Sequence, residues 1–294
     1  MARTLAAAGT IPLARPTPSW RAHPFFRHRS AVIGAVIVAL VLLVALAANV
    51  LATHDPLYLD PMARFSPPGE SGHLLGTDNQ GRDTYSRAVY GARLSLLVGV
   101  GVSLGTVVFG VFFGLLAGYF RKLDGPLMRV MDSMMAFPGV VLAIAIMAAI
   151  GPRVENVLIA LTVVYTPRLA RVIRSVVLTV RDLQYVEAAH ALGISTPRIL
   201  LRHIVPNCRS PVIVQATFIF ADAILAEAGL SFLGVGTPPY IPSWGNMLGE
   251  ARNYLSQAPW TMLVPGAFLM VAVLGLNLLG DGIRDLLDPR LRKL

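Results

Sequence analysis

Long apolar runs alternate with polar stretches along this chain, and the alternation predicts helices that cross a lipid bilayer. Residues 31–52 carry no charge over 22 positions, which meets the requirement of roughly 20 residues for spanning a hydrocarbon core. Further runs at 94–120, about 128–150, 157–180, 211–233 and 260–279 bring the expected spans to six, an all-α polytopic membrane fold. In the second run, Gly101 and Gly105 are four apart, as are Gly110, Gly114 and Gly118. Such rows let helix backbones touch. They are not phosphate loops, since neither the preceding strand nor the Lys-Ser/Thr of a P-loop is present. Pro138-Gly139 interrupts the third run and is expected to kink it. Ala45-Leu46-Ala47 imitates a signal-peptidase site, but the apolar run before it is long for a signal peptide, and an uncleaved first span is expected.

The polar stretches divide the rest. Residues 1–30 hold five arginines, four prolines and no acid, and read as an arm with Trp20, Phe25 and Phe26 able to rest at the lipid interface. Residues 53–93 are the longest polar insertion, with a turn expected at Gly81, a helix capped by Asp83 or Thr84, and an amphipathic segment lying at the interface. The acidic group around Asp78 lacks calcium-loop spacing, so no metal is expected there. Residues 94–280 form the transmembrane core, with a short turn at 121–125 and a local pair between Arg129 and Asp132. Arg168, Arg171 and Arg174 recur every third residue, and are read as a helix end leaving the membrane rather than as a voltage sensor. Prolines 238, 239 and 242 break the chain before a short helix at 245–254, with Trp244 expected as an interfacial anchor, and 281–294 form a tail.

Composition sharpens this picture. Only 14% of residues are charged, against about 25% in soluble domains, and mean hydropathy is +0.63. A soluble enzyme is disfavoured, and no nucleophile–base or metal-ligand constellation is apparent in the sequence. The single cysteine, Cys208, excludes an intramolecular disulfide framework. The net charge of +9 is spread among apolar runs without a soluble basic face, so nucleic acid is not an expected partner. With six spans, 19 of the 25 lysines and arginines fall on the side of the two termini, which predicts that both termini are cytoplasmic.

The most informative polar stretch is 181–209, containing EAAHALGISTPRILLRHIVPN. It reads as two short helices: Asp182 caps the first, Gly193 ends it, Ser195 or Thr196 caps the second beside Pro197, and Pro206 stops it. Ala188, Ala189 and Ala191 would let another surface approach closely, with Glu187, Arg198 and Arg202 supplying charge. Glu187-Ala188-Ala189, Gly193, and Ile204-Val205-Pro206 resemble the EAA loop of ATP-binding-cassette (ABC) importer permeases. HLLGTDNQGRDTYSR at 73–87, the 230–248 stretch and GDGIRDLLDPR at 280–290 resemble the dipeptide, oligopeptide and nickel branch of that family, and closest in look are its dipeptide and glutathione permeases.

The resemblance implies that Glu187, Ala188, Ala189, Gly193, Arg198 and Arg202 couple this chain to an ATPase. It further implies a second, homologous permease subunit, two ATP-binding subunits that carry ATP and Mg²⁺, and an extracytoplasmic substrate-binding protein, in a bacterial inner membrane. No cofactor is expected on this chain. Two ionisable residues in the fifth span, Asp222 and Glu227, are candidates for the substrate pathway because charge at membrane depth is costly. A carrier of a different class, an ion-coupled secondary transporter using Asp132, Asp222 or Glu227, would typically show two related halves, and none is apparent.

Overall fold

The computed structural model describes residues 28–287. The arm expected at 1–30 therefore lies largely outside the described residues, as does the second half of the tail expected at 281–294, whose first half continues the last helix to Leu287. The described chain is helical, with one isolated antiparallel bridge between Thr77 and Asp83. Five helical segments are long and apolar enough to cross a membrane, and a bent pair supplies a sixth if it counts as one span.

The first span is α1 (Arg29–Leu46) followed by the single turn α2 (Ala48–Leu51). Arg93 explains where α1 ends. Its guanidinium donates to the Ala45 carbonyl at 2.6 Å, to the Leu46 carbonyl at 3.2 Å and to Asn49 Oδ1 at 2.8 Å. A cation thus closes carbonyls left unpaired at a helix C-terminus. Arg93 belongs to α3 (Thr84–Tyr119), 36 residues and about 54 Å long. The expectation of a separate interfacial segment before the second span is corrected here. Asp83 does cap the helix, accepting from Ser86 N at 2.8 Å. The helix then runs unbroken into the membrane, because Arg87 and Arg93, which look interfacial in sequence, both find partners.

The third span differs most from expectation. The chain turns at Phe120 and at once forms α4 (Arg121–Met135), where a short turn was expected. After a gap at Pro138 comes α5 (Gly139–Ile150), bent by 94° from α4. This is a break, not a kink. Pro138 has ψ 129° and disfavours helix at the residue before it, so two helices meet at a corner. The fourth span, α6 (Val154–Arg181), packs along α3. There the glycine row acts as a packing surface: a Cβ on Gly114 would lie 2.7 Å from the Ala170 carbonyl. Two short helices, α7 (Gln184–Ala191) and α8 (Thr196–Ile199), then lead into α9 (Arg209–Phe232). Last come α10 (Trp244–Ala251) and α11 (Trp260–Leu287), the latter packed against α1.

Outward-facing residues such as Leu43, Leu104, Phe112 and Met270 are apolar and more than half exposed. This suits a chain whose solvent is lipid, where outward apolar side chains carry no penalty. Trp244, expected at the interface, is instead fully buried against α3 and donates its indole N–H to the Ala88 carbonyl at 2.9 Å.

Candidate coupling site

The opposite ends of α3 carry two polar assemblies. The segment at the Tyr119 end begins where α6 stops at Arg181. Asp182 is the C-cap of α6, and Leu183 takes the N-cap position of α7 that the sequence suggested for Asp182. Helix α7 ends in a Schellman motif. Gly193 has φ +74°, its N–H donates to the His190 carbonyl at 2.9 Å, and Ile194 N donates to the Ala189 carbonyl at 3.1 Å. Only a residue without a Cβ takes that φ without penalty. Ser195 then caps α8 through its carbonyl, which accepts from Arg198 and Ile199 N–H groups, with Pro197 in the first turn.

Pro206 was expected to stop this second helix, and it does not. The backbone widens to a π-turn at Leu200–Ile204, tightens to a 3₁₀ turn at Val205–Cys208 and continues as α9. Changing the hydrogen-bond register absorbs the donor that proline lacks. The result is one helical ribbon from Thr196 to Phe232.

Three apolar side chains root the segment, since Val186, Ile199 and Ile204 are fully buried in the main core. Polar contacts fasten it to the neighbouring spans. His190 Nε2 and Tyr119 Oη are 2.7 Å apart, and Arg181 donates to the Gly118 carbonyl at 2.6 Å. Glu187, Ala188, Gly193, Arg198 and Arg202 are exposed. Ala189 is the exception: it is 4% exposed and faces the core, so its small size serves internal packing. Sequence reasoning passed over Leu192 and Leu201, which are 81% and 69% exposed. Two bare leucines between charged residues, on a base held by buried anchors, make a knob able to transmit force to a second surface. The signal was there in the sequence, since both leucines fall off the buried positions of their helices.

Arg168, Arg171 and Arg174 reach three different acids. Arg168 lies 3.4 Å from Asp222 on α9, Arg171 lies 2.6 Å from Asp132 on α4, and Arg174 Nη2 lies 2.6 Å from Asp124 on α4. Asp132 therefore pairs across helices rather than with Arg129. The Arg168 and Arg171 pairs are about half exposed, so each is worth about 0–1 kcal/mol and orients its helices more than it stabilises them.

The two pathway candidates part company. Asp222 is half exposed and faces Arg168. Glu227 is fully buried: it accepts from Ser231 Oγ at 2.8 Å and Thr237 Oγ1 at 3.2 Å, and Asn246 donates to Thr237 Oγ1 and to the Pro238 carbonyl. Within this chain Glu227 is enclosed by its own hydrogen-bond partners rather than open to a cavity. Its carboxylate instead organises the proline-rich turn between α9 and α10.

A polytopic helical bundle with a rooted, exposed knob between spans fits a subunit of a membrane transporter. The comparisons agree. Residues 110–293 match the family described as binding-protein-dependent transport system inner membrane component, and residues 19–68 match the N-terminal transmembrane domain of oligopeptide transport permease C. The chain belongs to the former family and is a multi-pass permease subunit of an ABC importer. It is 48% identical over 271 residues to a putative peptide transport system permease protein of Brucella abortus, covering 92% of this chain and 91% of that one. It is 42% identical over 277 residues to the dipeptide transport system permease protein of Escherichia coli, covering 92% of each. A di/tripeptide transport system permease protein of Pseudomonas aeruginosa is 41% identical over 287 residues, 95% of each chain. Membership of this family implies ATPase and binding-protein components alongside the permease.

Proposed function

We propose that this subunit pairs with a homologous permease, takes motion from two ATP-binding subunits through residues 181–209, and passes short peptides delivered by a substrate-binding protein. The observation that carries this reading is the knob: a Schellman-ended helix pair with Glu187, Leu192, Arg198, Leu201 and Arg202 outside and Val186, Ile199 and Ile204 buried. Motion imposed on it would reach α3 through Tyr119 and Gly118, and α9 through the continuous ribbon. Peptides as cargo rest on the names of the relatives. ATP and Mg²⁺ sit on the partner subunits in this reading, and the knob and both termini face the cytoplasm, as the charge bias favours.

In proteoliposomes, a labelled dipeptide should accumulate only when the ATP-binding subunits, the second permease, the binding protein and ATP are all present. Uphill uptake by the isolated subunit would overturn the reading. Within the assembly, Asp222→Asn should change the uptake rate, because a half-exposed carboxylate paired across α6 and α9 is lost. Glu227→Gln keeps an acceptor oxygen for Ser231 and should leave peptide preference unchanged. A changed preference in Glu227→Gln with Asp222→Asn silent would reverse the two assignments.

A further inference from the structure

At the far end of α3, where the sequence suggested no metal, the fold collects three metal-ligating side chains from three separate places. His54 follows the first span, His73 sits in the long loop, and Asp83 caps α3. One ligand atom from each lies within 4.8 Å of the others. His73 Nδ1 is 2.9 Å and His54 Nδ1 is 3.9 Å from Asp83 Oδ1, and the two rings are 4.5 Å apart at 34°. We propose that His54, His73 and Asp83 form a binding site for a divalent transition cation, of which Zn²⁺ is the best fit.

The chemistry favours that class. Two imidazoles and one carboxylate suit Zn²⁺, Co²⁺ or Ni²⁺ and suit Ca²⁺ or Mg²⁺ poorly. Ligand bonds of about 2.0–2.2 Å in a tetrahedron set ligand atoms about 3.4 Å apart. The short separation must therefore grow, and the long one shrink, by about half an ångström each. His54, whose side chain is 37% exposed, can close the long separation, while the short one opens only by a small rotation of His73 or Asp83, whose side chains are 9% and 0% exposed. The same exposure gives an entry route and leaves a fourth position for water.

Charge is also suitable. A helix N-terminus repels cations, but Asp83 Oδ2 already answers that end by accepting from Ser86 N at 2.8 Å. Oδ1 is left facing the histidines. The backbone is already in place, because Thr53 N and His54 N both donate to Ser86 Oγ at 3.1 Å. A bound cation would clamp the end of the first span, the loop and the start of α3 together.

The test uses the full transporter assembly, purified in detergent with a tag free of histidine and stripped with a chelator. After incubation with ZnCl₂ and gel filtration, elemental analysis should find zinc retained by the wild type, and zinc should raise its melting temperature. His54→Gln should weaken zinc binding by about tenfold or more, while eluting as the wild type does. Co²⁺ should give tetrahedral visible bands that His54→Gln abolishes. Failure of the wild type to retain zinc would overturn the proposal. So would retention undiminished in His54→Gln, which would place the metal elsewhere, whether on His190, His203 or a partner subunit.

Discussion

Gly193→Pro should leave the subunit in the membrane at normal levels and cut ATP-driven uptake severely. Proline fixes φ near −65°, and Gly193 stands at +74° with its N–H donated to the His190 carbonyl. The substitution therefore removes both the conformation and one of the two hydrogen bonds of the motif that ends α7. Nothing lies within 4 Å of a Cβ built at this position, so no steric clash in the core is added. Val186, Ile199 and Ile204 stay rooted, and the spans should insert as before. What changes is the direction of the chain between α7 and α8, hence the relative placement of Glu187 and Arg198. Coupling between sites is typically worth about 1–3 kcal/mol, or about 5–150-fold, and uptake should fall within that range while the partner subunits still hydrolyse ATP. Gly193→Ala makes a graded control. Its penalty is backbone strain alone, about 1–2 kcal/mol, so uptake should lie between wild type and proline. Uptake in Gly193→Pro equal to wild type would remove the knob from the mechanism.

Gly193 was legible in the sequence because its reason is local: a helix ends, a left-handed residue follows, and glycine fills it. The glycine row of α3 and the Asp83 cap were legible for the same kind of reason, as were the main apolar runs. Features decided by distant partners were not. Asp132 stands three residues from Arg129, yet Arg171 on another helix takes it. Pro206 looks like a stop in isolation, but here the chain carries the helix past it by shifting register. Pro138 is compatible with a kinked single span or with a corner, and the 94° bend between α4 and α5 is the corner. For Glu227 the sequence leaves both a pathway position and a hydrogen-bonded one open, because it does not reveal that the turn ten residues later folds back to supply Thr237.

The largest loss of folding stability is expected from Arg87→Met. Arg87 is 2% exposed and donates from Nη1 both to Asp78 Oδ2 and, at 2.8 Å, to Glu250 Oε2. Arg82 reaches the same two carboxylates, at 2.7 Å and 2.5 Å. Two cations and two anions thus neutralise each other where the loop before α3 and the first turn of α3 meet the helix α10, and no other ion pair among the described residues joins these parts. Removing one cation leaves an uncompensated buried charge, which typically costs about 3–5 kcal/mol. The subunit should melt at a lower temperature in detergent and accumulate less in membranes. Glu250→Gln should cost less, because Glu250 is 24% exposed and water can answer part of the loss. The double variant Arg87→Met with Glu250→Gln should cost less than the sum of the two, since charge balance is restored, with a coupling of about 0.5–3 kcal/mol. Additive effects would mean that the four charges do not act as a unit. Asp78 would then hold the loop through Gln80 N and Arg82 N alone, at 2.8 Å and 3.0 Å.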